Sequence, residues 1–94
     1  MLAALDHSHS FAITGDEFLI GKSADKVDGV IVGNPAISRV HCKVIKRDRN
    51  YYLMDMNSAN GTFVNNQRIA HETPVEIGIG TRVKMANMEF IVRR

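Results

Sequence analysis

The chain reads as all-β: a sandwich of two antiparallel sheets assembled from about ten or eleven short strands. Three observations carry this. Apolar residues fall in short clusters rich in β-branched and aromatic side chains, each bounded by Gly, Asn, Asp or Pro. No stretch holds its apolar residues at helical spacing for the several turns a helix needs. In Cys42-Lys43-Val44-Ile45-Lys46 and Thr81-Arg82-Val83-Lys84-Met85, polar and apolar residues roughly alternate. One face of each such strand points inward, and a second sheet must cover it.

The elements follow in order. Residues 10–13 form the first expected strand and stop at Thr14-Gly15-Asp16, where Gly admits positive φ and Asp caps its own turn. Residues 17–21 and 29–32 are the next apolar runs. Residues 41–46 and 51–56 flank Arg47-Asp48-Arg49-Asn50, which reads as a hairpin connection. Residues 62–64 and 68–69 flank Asn65-Asn66-Gln67, and Asn tolerates the left-handed backbone that tight hairpins require. Residues 75–77 lead through Gly78-Ile79-Gly80 to residues 82–85, and these meet residues 88–92 across Ala86-Asn87. Residues 1–9 remain as a flexible N-terminal segment, and residues 10–94 make one sandwich domain.

Ninety-four residues with 45% hydrophobic content suffice for one modest core and leave no room for a second domain. No segment approaches the roughly twenty apolar residues of a membrane span. Met1-Leu2-Ala3-Ala4-Leu5 is too short, and lacks the basic start, to read as a secretory signal. The single Cys42 cannot make an internal disulfide and favours a reducing compartment, so a cytoplasmic setting is expected. Net charge is +2 with pI near 8.9, but Lys and Arg are interleaved with Asp and Glu. A small anion suits this pattern better than nucleic acid, and no membrane partner is expected.

Two polar loops stand out. Ser38-Arg39-Val40-His41 and Asn57-Ser58-Ala59-Asn60-Gly61-Thr62-Phe63-Val64-Asn65-Asn66 each adjoin strand-like sequence, and together offer hydroxyl, amide and backbone N–H donors. A phosphate, with its several acceptor oxygens, is the obvious guest. With Gly21-Lys22 upstream, the order Gly-Lys, Ser-x-x-His, Asn-Gly-Thr, Asn resembles the forkhead-associated (FHA) domain family over roughly residues 11–92. The resemblance implies an FHA/SMAD-like sandwich that binds phosphothreonine in a partner protein, without enzymatic activity and without a cofactor. It also implies the roles. Lys22, Ser38 and Arg39 would bind the phosphate, and Asn60 the backbone of the bound peptide. Gly21, His41, Gly61, Thr62 and Asn65 would form the loop scaffold. The partner would be a substrate of a Ser/Thr kinase, and the domain a monomeric part of a larger protein.

The chain departs from the family pattern twice. Lys22 stands where the family favours Arg, which replaces a bidentate fork by a mobile point charge. Ala59 stands where many members carry Thr, so one hydroxyl is missing. These departures keep open an alternative, a degenerate FHA module that makes phosphate-independent protein contacts. Each residue has a plainer reading as well. Lys22 serves as a solvated strand-edge lysine, Ser38 as a turn residue, Asn60-Gly61 as an ordinary hairpin, and Arg39 as an ion-pair partner of Asp55 or Glu72. A hydrolase built on Ser38 and His41 lacks an orienting acid. His7, His9, His71 and Cys42 do not fall at metal-ligand spacing, so no metal is expected.

Overall fold

The computed structural model describes residues 1–94 and contains eleven strands and no helix. They are β1 (Leu2–Ala4), β2 (Ser10–Phe11), β3 (Glu17–Gly21), β4 (Gly29–Val30), β5 (Cys42–Arg47), β6 (Asn50–Asp55), β7 (Thr62–Val64), β8 (Gln67–Arg68), β9 (Val75–Ile77), β10 (Arg82–Met85) and β11 (Met88–Val92). One sheet has the order β2-β1-β11-β10-β7-β8, the other β4-β3-β5-β6-β9. Their inner faces meet in a single core whose centre is Ile20, Leu53, Val83, Met85 and Phe90, all without solvent exposure. Phe11 stacks on Phe90 with ring centroids 6.1 Å apart and closes the core beside β1.

Hairpin chemistry sets the register. Arg47 faces Asn50 and Met85 faces Met88, so Asp48-Arg49 and Ala86-Asn87 are two-residue turns. Asn65 and Asn66 both take positive φ, 47° and 70°, in the turn that joins β7 to β8. This is the primed geometry whose twist matches the flanking strands, and Asn is one of the few residues that adopts it cheaply.

Two expectations need correction. Residues 1–9 are not a flexible segment: β1 pairs antiparallel with β11, Leu2 opposite Val92 and Ala4 opposite Phe90, and both Leu2 and Ala4 are buried. The turn after it is fixed by Ser8 N donating to Asp6 Oδ1 at 2.9 Å, and β2 then pairs back onto β1. Burial of Leu2 and the ladder with β11 order a segment that has little strand propensity of its own. The sheets are also not wholly antiparallel, because β4 runs parallel to β3 with Ile20 opposite Gly29. Residues 22–28 loop back only as far as the end of β3, so the two-residue β4 pairs with that strand's last two residues.

Candidate functional site

Three segments meet at the end of the sandwich where β3 and β6 finish and where β5 and β7 begin. The first is the exit of β3. Gly21 is buried so tightly that a Cβ there would lie 2.0 Å from the Arg39 carbonyl oxygen, which no side chain tolerates. Lys22 N donates to Ser38 O and Ser23 N to Arg39 O, each at 3.1 Å. The backbone carrying Ser38 and Arg39 is thus strapped directly to the backbone carrying Lys22.

His41 ties the second segment to the third. It has no solvent exposure. Its Nδ1 accepts from Ser38 N at 3.1 Å, which leaves the proton on Nε2, and Nε2 donates to Gly61 O at 2.9 Å. Burial lowers its pKa, against the opposing pull of the Gly61 carbonyl and of Asp55, so the ring is neutral near pH 7. Both ring nitrogens are occupied and neither is bonded to Ser38 Oγ, so His41 is not placed as a base for that hydroxyl.

The third segment, residues 55–62, is organised by Asp55, which the sequence offered only as an ion-pair partner for Arg39 and which is instead buried. Asp55 is fully buried, and its Oδ1 accepts from Ser58 Oγ at 2.5 Å and from Thr62 Oγ1 at 2.6 Å. Its Oδ2 accepts from Ser58 N at 3.2 Å and bonds closely to His71 Nδ1. Burial pushes the Asp55 carboxyl up, but the Ser58 and Thr62 hydroxyls, His71 and the Ser58 amide together outweigh it and hold the pKa below the ordinary range. Ser58 Oγ accepts in turn from Gly61 N at 3.0 Å, where the chain turns with φ 89°. Asp followed three residues later by Ser is a recognisable turn-forming spacing, and it was the available signal.

Across this frame the two polar loops touch. Ser38 Oγ accepts from Ala59 N at 3.0 Å, so its own hydrogen is left to donate elsewhere. Asn60 Nδ2 donates to Ala36 O at 2.8 Å, and its Oδ1 makes no hydrogen bond. Asn60 therefore spends one of its two N–H donors on the neighbouring loop and keeps the other N–H and its Oδ1 acceptor free. Lys22 and Arg39 are both exposed, and neither makes an ion pair. The expected alternatives for Arg39 are absent, since Asp55 is saturated and Glu72 accepts from Asn57 Nδ2 at 3.0 Å. Next to it is Asp25, whose carboxyl is lowered mainly by the Ser23 hydroxyl and slightly by Arg39.

Of the residues singled out, Gly21, Lys22, Ser38, Arg39, His41, Asn60, Gly61 and Thr62 are brought together. Asn65 is not. It lies at the far end of β7, where its N donates to Arg82 O at 2.8 Å and its Oδ1 accepts from Arg82 N at 3.0 Å. It anchors a turn to β10 and belongs to the fold, not to the loop cluster. Cys42 is sealed in the core, where burial and then Asp55 push its thiol far up and keep it protonated.

A two-sheet sandwich with a polar, cation-bearing loop cluster at one end defines the class of loop-presenting β-sandwich modules. The chain belongs to the FHA domain family, whose pattern matches residues 18–86. Such domains are generally binding modules without enzymatic activity. Among similar structures, an FHA domain solved in a study of phosphothreonine-dependent FHA interactions superposes with TM-score 0.87 at 24% identity, over 99% of this chain and 93% of that one. Mycobacterium tuberculosis EmbR, in complex with a low-affinity phosphopeptide, superposes with TM-score 0.87 at 24% identity, over 98% of this chain and 23% of that one. The N-terminal FHA domain of S. cerevisiae Rad53p, solved with a phosphothreonine peptide, gives 0.83 at 14% identity, over 96% and 88%. At these identities the likeness establishes the fold. A protein phosphatase 1 regulatory inhibitor subunit homologue of Arabidopsis thaliana is 33% identical over 57 residues, 60% of this chain. The chain spans 15% of that relative's length.

Proposed function

We propose that this domain recognises a phosphothreonine-containing segment of a partner protein through the loops at the Ser38 end of the sandwich. The observation that carries the reading is the bond from Ala59 N to Ser38 Oγ. It fixes the Ser38 oxygen between two loops and leaves its hydrogen free to donate, on backbone strapped to that of the exposed, unpaired Lys22 and Arg39. A phosphate near neutral pH carries close to two negative charges and three acceptor oxygens, which is what a hydroxyl and two cations on a rigid backbone can satisfy. The free Asn60 Oδ1 is an acceptor for a backbone N–H of the same peptide. FHA relatives solved with phosphopeptides support the reading by analogy. The partner would be a Ser/Thr kinase substrate, the domain would act as a monomer in signalling, and the single thiol fits a cytoplasmic setting.

The test is an amide NMR titration with a peptide drawn from a phosphothreonine-oriented library. Shifts should concentrate at Lys22, Ser38, Arg39, Ala59 and Asn60. Shifts that avoid these residues would remove the proposed site. A second reading, phosphate-independent protein contact through a sheet face, is favoured by one feature: Ala59 has no hydroxyl, so the second loop offers the phosphate no side-chain O–H there.

A further inference from the structure

The opposite end of the sandwich carries a different surface. There the starts of β1 and β6 and the ends of β9 and β11 leave a cleft of about 480 Å³ between the sheets. Buried Leu2 and Ile77 form its floor. On its rim stand Ile79 and Met1, 64% and 49% exposed, two of the four large apolar side chains that this molecule leaves in water. Exposed apolar groups gathered at one concave place mark contact sites more often than the same groups scattered singly.

The charge around the cleft is one-sided. Arg49, Arg93 and Arg94 line it and none has a carboxylate partner, whereas Arg47 nearby is paired with Glu17 at 3.8 Å. Glu76 is the single acid on the lining. We propose that this cleft is a second protein-docking site, for an unphosphorylated segment of a partner protein that sets one or two bulky apolar side chains between Asp or Glu residues. The apolar side chains fill the cleft over Leu2 and Ile77, and the carboxylates meet the arginines, whose forked donors match them.

Other occupants fit less well. A bilayer is flat, whereas this surface is concave and carries Glu76 and Asn50 on its lining. A second copy of the chain has its own acid-flanked apolar residues, Leu5 and Val32 beside Asp6 and Glu89, but these line a hollow themselves. Two copies would set one concavity against another. Because strand direction separates the cleft from the Ser38 loops, both sites can be filled at once, and the cleft does not depend on the phosphopeptide reading.

The probe is an end-capped heptapeptide, Asp-Glu-Leu-Asp-Phe-Glu-Glu, titrated into the isotope-labelled domain and compared with its twin carrying Lys at every acidic position. Amide shifts are expected at Asn50, Tyr51, Ile77, Ile79 and Val92 and not at Ser38, Arg39 or Ala59. The double variant Arg49→Glu, Arg93→Glu should weaken binding about five- to tenfold, as should added salt. Both positions are exposed, so the rest of the spectrum should stay unchanged and report an intact fold. Four outcomes overturn the proposal: no shift at about 1 mM peptide, equal shifts with the Lys twin, cleft shifts that depend on domain concentration alone, or sedimentation with phosphatidylserine vesicles while the peptide leaves the spectrum unchanged. The third assigns the cleft to a second copy and the fourth to lipid.

Discussion

A carboxylate sealed from water is costly unless its lone pairs are used, and Asp55 uses its own on the loop that follows it. Two hydroxyls, one backbone N–H and the His71 ring converge on it, so the position of Ala59 and Asn60 is set from beneath. Asp55→Asn keeps the shape but turns a pure acceptor into a group that also donates. It should cost about 2–4 kcal/mol in urea unfolding and broaden the amide signals of residues 57–61. Ser38→Ala should behave in the opposite way. Phosphopeptide affinity should fall about tenfold, the value of one charge-assisted hydrogen bond, with stability nearly unchanged because Ala59 N can turn to water. Ala59→Thr, which restores a hydroxyl beside the site, should tighten the same binding by calorimetry. Gly21, Ser38 and His41 were legible because they fall in the ordered family pattern, even though Ser38 and His41 meet partners 21 and 20 residues on. The role of Asp55 was not, because it stands outside that pattern and shows only once Thr62 and His71 are folded onto it. Nor could spacing show that Asn60 commits one N–H to Ala36 O.

Strands are where sequence reading succeeded, since each short apolar run between turn residues became an element within a residue or two. It failed at β1 and at the direction of β4. Leu2-Ala3-Ala4 has no alternation long enough to signal a strand, and only the unsatisfied edge of β11 and the core beside Phe90 make it one. Leu2→Ala should therefore cost about 2–4 kcal/mol in denaturant unfolding, where a flexible segment would lose nothing measurable. The turn between β10 and β11 carries the opposite kind of mismatch. Ala86 sits at φ 57°, a conformation Gly prefers, and its N donates to Gly61 O at 2.9 Å, so this turn abuts the loop that holds Asn60. Ala86→Gly should relieve that strain and raise the thermal midpoint, by about 1 kcal/mol in stability.

For the molecule as a whole, two buried titrating groups make folding acid-sensitive. The unfolded chain binds a proton at His41 near pH 6.5, whereas burial makes the folded chain resist it to lower pH. The unfolded state thus holds more protons below pH 6.5, and stability, full above that value, falls as pH drops towards the folded pKa, by at most about 1.4 kcal/mol per pH unit. Asp55 adds a second loss further down. Its folded pKa lies below 3.8, so its contribution is present above 3.8 and disappears as pH falls through the folded value. Urea unfolding from pH 7 to 5 should show the first decline, and His41→Gln should flatten it. Folded His41 resists protonation over that interval and keeps Ser38 joined to Gly61, so a weakening of phosphopeptide binding there reports the phosphate's own second pKa of about 6. The most direct measurement is a pair of calorimetric titrations with one library-selected peptide, phosphorylated on its threonine and not. If Lys22, Ser38 and Arg39 hold a phosphate, the phosphopeptide binds in the micromolar range, about 8 kcal/mol, and its unphosphorylated twin at least about a hundredfold more weakly. Equal affinity for the two would contradict it.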